Sequence, residues 1–135
     1  MREYKFRGKS IDIGEWKFGD LLRLEKNFKK RLEIFHWGEK APFSSVVIPE
    51  TIGQFTGLTD KSGKDIYDGD ILGADGKVIG FVEGGVRGYC YDVVYSKPLT
   101  NGERRWSLYG TVENDYKGRI EVIGNIHDNP ELSNP

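Results

Sequence analysis

The residues that could do chemistry are few, and their spacing says what each could do. Four aspartates, Asp60, Asp65, Asp68 and Asp70, crowd the stretch from Thr51 to Leu72. A calcium loop of the EF-hand kind needs oxygen ligands at alternate positions, Gly at the sixth and Glu at the twelfth. Counted from Asp60, the fifth position is Lys64, the sixth Asp65 and the twelfth Ile71, so the pattern fails. These aspartates read as turn and cap carboxylates that accept from nearby backbone N–H groups. His36 and His127 are the only histidines and Cys90 is the only cysteine. A zinc site would need three or four such ligands to converge. A Cys–His dyad could use Cys90, but Tyr89-Cys90-Tyr91 reads as a mid-strand core position, where a free Cys is a small buried hydrophobe. The glycines from Gly80 to Gly88 fit neither the P-loop nor the dinucleotide fingerprint. No catalytic residue, metal site or cofactor is expected.

Two stretches could bind nucleic acid. Arg23, Lys26, Lys29, Lys30 and Arg31 lie near Phe28, Phe35 and Trp37, and Arg104 and Arg105 precede Trp106. A single-strand binder uses this mixture, with charge for the backbone and rings for the bases. The net charge of −1 gives no global field toward a polyanion, so a solvated hairpin loop is the favoured reading of the first stretch. Aromatics supply another candidate. Trp16, Trp37 and Phe43 fall in an N-terminal region too thin to bury them alone, and exposed aromatic surface on β elements suggests a protein interface. The partner expected is a second copy of the chain or another protein, with no membrane partner.

The elements that must position these residues are mostly strands. The chain has 135 residues, 18 of them Gly, which suits one domain of short elements and many turns. Its N-terminus lacks an apolar signal segment, and no apolar run approaches a membrane span. A lone cysteine fits a reducing compartment, so a cytoplasmic location is expected. Trp16 and Phe18 share a strand face, while Gly19-Asp20 reads as a corner. Residues 21–37 fit a helical stripe or a hairpin with residues 26–30 as its loop; period alone does not separate these, and the β-rich flanks favour the hairpin. Gly69 sits in an Asp-Gly-Asp corner, where φ > 0 carries no steric cost. Asp75-Gly76 between two apolar runs predicts a type I′ hairpin. Residues 87–95 and 106–109 read as strands. Ile120, Val122, Gly124 and Ile126 share a face of another. Asn129 and Pro130 could start one helical turn. About ten short strands with little helix make an all-β pattern. The expected architecture is a small, partly open β-barrel at 51–127, with a β-hairpin extension at 1–50, in one domain spanning 1–135.

Three blocks of sequence carry a family resemblance. The first is Lys5-Phe6-Arg7-Gly8-Lys9 with Gly14-Glu15-Trp16 and Gly19-Asp20-Leu21-Leu22. The second is Pro49 to Leu58, then Asp60 to Lys64 and Ile66 to Ile71. The third is Glu121 to Leu132. In this order they resemble the YopX family of phage and prophage proteins. Segments 23–48 and 84–118 match no block. The resemblance implies an all-β, barrel-like fold and an origin in a phage or an integrated prophage. It implies no enzymatic activity and carries over no catalytic residue. A non-enzymatic accessory protein that binds itself or a phage or host protein is the first expectation. A single-stranded nucleic-acid binder is the alternative.

Overall fold

The computed structural model describes residues 5–26, 29–37, 42–84, 90–100 and 102–133. The chain divides into two compact units, residues 1–55 and 56–135. The strands form two antiparallel sheets. All-β is therefore right, but the sheets do not close into the expected barrel. The reason lies at the Asp68-Gly69 corner. The strand before it pairs in one sheet, while the strand after it has both its edges occupied in the other.

In the first unit, β1 (Phe6–Lys9), β2 (Trp16–Lys26), β3 (Lys29–Trp37) and β4 (Pro42–Val46) follow one another, and β5 (Gly53–Thr59) begins. The spatial order is β4-β3-β2-β1-β5. Residues 21–37 are thus a hairpin. Lys26 pairs with Lys29, so the strands extend into the predicted five-residue loop and only residues 27–28 lie between them. Two glycines lie inside these strands. Gly8 pairs with Lys17 within β1, and Val47 occupies the space its side chain would need: an added Cβ would sit 2.9 Å from Val47 Cβ. Gly19 lies within β2 rather than at a corner. Its φ is 153°, and an added Cβ would run into the Phe35 carbonyl oxygen. Past β4 the chain returns to β1. Val47 bridges Ser10, Ile48 N donates to Lys9 O at 2.8 Å, and Ile11 N donates to Val46 O at 3.0 Å. A 3-10 turn, Pro49–Thr51, leads into β5. Ile34 and Val47 are fully buried, and each contributes about 1.5–3 kcal/mol from removal of its side chain from water.

In the second unit β5 continues and pairs with β6 (Asp65–Tyr67). The other sheet holds β7 (Asp70–Ala74), β8 (Lys77–Gly84), β9 (Tyr91–Tyr95), β10 (Arg105–Ser107) and β11 (Glu121–Asn125), in the order β10-β9-β8-β7-β11. The Asp75-Gly76 hairpin forms as predicted, with φ of 53° and 80°, the left-handed pair that a type I′ turn demands. Gly69 takes φ of 91°. Register places Leu72 beside Gly80 and Tyr95, and Val82 beside Val93, on one face. Leu108 and Val112 join this cluster. Leu108 comes from the stretch 106–109, expected to be a strand. Instead, one α turn, α1 (Leu108–Gly110), widens into a π turn at Thr111–Asp115. The Ser107 Oγ accepts from Gly110 N at 2.9 Å and starts it. A bulge between Val122 and Gly124 breaks the alternation expected for 120–126, and Ile123 is exposed. The chain closes with α2 (Pro130–Ser133). Asn129 precedes it as expected, and its side chain accepts from Asn125 N at 3.2 Å.

Candidate functional site

The acidic run is structural at its two best-defined positions. Asp60 is 8% exposed. Its Oδ1 accepts from Ser62 N and Lys64 N, both at 2.9 Å, and its Oδ2 accepts from Val122 N at 3.0 Å. Burial alone would raise its pKa, but the N–H groups of Val122, Lys64 and Ser62, helped by the Lys64 charge, hold it below the ordinary carboxylate value. Asp60 therefore fastens the 60–64 turn to β11. Asp70 is buried and accepts from Tyr67 N at 2.8 Å through Oδ2, closing the Asp68-Gly69 corner. Among the described residues, no three His, Cys, Asp or Glu side chains converge as a metal site would need.

Cys90 is exposed and lies one residue before β9. The core position expected for it is not where it sits, because β9 begins at Tyr91. Tyr89 lies outside the described residues. His36 stacks edge-on against Phe43, with ring centroids 3.6 Å apart. Burial, and then the Lys17 charge, lower its pKa. Its Nε2 is buried with no hydrogen-bond partner among the described residues.

The basic hairpin divides by register. Arg31 lies opposite Leu24, while Arg23 lies opposite Leu32 and Lys30 opposite Glu25. Paired residues share a face and neighbours alternate, so Arg31 points one way and Arg23 and Lys30 the other. Arg31 also pairs with Glu33 at 3.4 Å. The side chains of Lys26, Lys29 and Trp37, and all of Phe28, lie outside the description. In the second unit Arg105 binds Glu83 at 2.7 Å and the buried Asp92 at 3.4 Å. Arg104 and Trp106 are exposed.

The same register builds a surface that the single residues did not show. Trp16, Phe18, Asp20, Leu22 and Leu24 alternate along one face of β2. Their partners place Arg7 and Lys9 of β1, and Arg31, Glu33 and Phe35 of β3, on that face. The bridge to Ser10 adds Ile11, Val46 and Ile48. Ile34 and Val47 face the opposite way and are buried, so this is the outer side. Phe18 is 49%, Leu24 43% and Ile11 60% exposed. The Arg7 guanidinium lies 4.7 Å over the Trp16 ring. Of the interface residues expected from sequence, Trp16 belongs to this face. Phe43 does not: it is exposed, but opposite His36 on the other side. The period-two run from Trp16 to Leu24 is the signal that could have found the face. It was obscured by reading Gly19 as a corner.

The family model described as YopX protein matches residues 5–133. Among solved structures, the chain is similar to protein EF1440 from Enterococcus faecalis at 22% identity, covering 98% of this chain and 99% of that one, with a TM-score of 0.48. The curated proteins give no match.

Proposed function

From the premise that this chain belongs to the YopX protein family, we propose that it is a phage- or prophage-derived accessory protein that works by binding another protein, not by catalysis, in the bacterial cytoplasm. The observation that carries the reading is the outer face of β2 and β3. Phe18 and Leu24 are large apolar side chains on one sheet face, both more than two-fifths exposed. Half-buried Trp16, Leu22 and Phe35 adjoin them. Solvent-facing apolar surface of this kind marks protein interfaces.

The test is capture on immobilised protein from lysate of cells carrying the phage or prophage, comparing wild type with the Phe18→Ser/Leu24→Ser double variant. Wild type should retain a protein that the variant loses, and retention should persist in high salt, because apolar contacts are not screened. Identical retention by both proteins would remove the reading. A single-stranded oligonucleotide serves as the second probe. Co-elution at low salt only, lost on replacing Arg104 and Lys30, would support the nucleic-acid alternative instead.

A further inference from the structure

The outer face is self-complementary in charge as well as apolar, and we propose that its occupant is a second copy of this chain, docked face to face about a two-fold axis. This rests on the protein-binding reading and names the partner. Asp20 and Arg31 are both exposed on this face. Asp20 lies within the stripe, between Phe18 and Leu22, and Arg31 lies beside it at Leu24, so the two fall on opposite sides of Leu22. Asp20 lies opposite Phe35, and Arg31 lies opposite Leu24. A two-fold axis crossing β2 at Leu22 exchanges the two ends. It sets Arg31 of one copy above Phe35 of the other, one strand spacing (about 4.8 Å) from Asp20, within reach of a guanidinium. The contact is isologous, so it forms twice. The same Arg31 can lie over the Phe35 ring. Glu33, beside Leu22, does not oppose the docking as a bare charge. It is buried, paired with Arg31, and accepts from Ser44 Oγ at 2.8 Å.

The area sets the affinity scale. Three strands about 4.8 Å apart and about 27 Å of β2 give roughly 400 Å² per copy. That is about 800 Å² in total, below the size of a standard specific interface and within the weak, transient class, so the dimer should be weak. Sedimentation equilibrium up to about 0.5 mM covers the micromolar to sub-millimolar range.

The variants are Asp20→Arg and Arg31→Asp, each checked for an unchanged circular dichroism spectrum. Each alone places like charges at both contacts and should weaken association at least about 10-fold. Mixed in equal amounts they should dimerise like wild type, because each contact then joins Arg to Asp again. The mixture needs no new fold, so its rescue separates a lost contact from a damaged chain. A wild type that stays monomeric at about 0.5 mM, single variants that dimerise normally, or a mixture that stays monomeric would each overturn the dimer. A monomeric wild type that still captures a protein through Phe18 and Leu24 would overturn the dimer while leaving the protein-binding reading standing.

Discussion

Replacing Asp60 by Asn is the sharpest test of how the second unit is held together. The wild-type carboxylate takes three backbone hydrogen bonds, two through Oδ1 and one through Oδ2. Asn keeps one carbonyl oxygen. If that oxygen replaces Oδ1, the bonds from Ser62 and Lys64 survive but lose their charge assistance. The amide nitrogen then faces the Val122 N–H, donor against donor. A hydrogen bond to a charged group is worth about 1.5–3 kcal/mol net and a neutral one about 1. Losing the first and weakening two others, less the desolvation cost that the neutral side chain escapes, leaves about 2–3 kcal/mol of destabilisation. Urea unfolding measures it, and amide exchange locates it at Val122, Ser62 and Lys64. The sign with pH follows from the lowered pKa. A carboxyl depressed in the folded state adds stability above its unfolded value, near 3.8, and that stability fades as pH falls through the folded value. The gap between wild type and Asn should therefore be full at neutral pH and narrow below 3.8. A gap under about 0.5 kcal/mol at neutral pH, or one that does not narrow in acid, would refute the fastening role.

Two further outcomes follow from the first unit. Gly8→Val would drive its side chain into Val47 Cβ and both its methyls, and should destabilise by about 1–3 kcal/mol in thermal or urea unfolding, the usual cost of overpacking. A melt unchanged from wild type would mean that Val47 can move aside. His36 has a pKa lowered from 6.5, so its contribution is complete above that value and is lost as pH falls through the folded value, because the unfolded chain takes up the proton first. An NMR titration should place the folded value below 6.5, and His36→Gln should flatten the fall in stability over the same range.

What was legible in the sequence was local. Asp75-Gly76 forms its hairpin because two consecutive left-handed residues are a property of the dipeptide, whatever surrounds it. The Asp68-Gly69-Asp70 corner and the turn role of Asp60 were readable for the same reason. The hairpin at 21–37 was a matter of context, since its apolar residues satisfy both periods. The extended neighbours tipped the reading.

Residues far apart in the chain decided the rest. Gly19 is glycine because the Phe35 carbonyl occupies the place of a side chain, not because the chain turns there. Leu108 and Val112, four residues apart, both enter the cluster of Leu72, Val82 and Val93; a helical turn stacks them about 6 Å apart, whereas a strand would hold them about 13 Å apart. Cationic residues that form one run in sequence part to two faces, since neighbours in a strand alternate. The outer face exists only once β1, β2 and β3 are in register. Sequence by itself determined which residues could turn, extend or carry charge, because those are properties of single residues and their neighbours. Tertiary structure decided which of them meet, because pairing and burial depend on groups that the chain brings together only by folding.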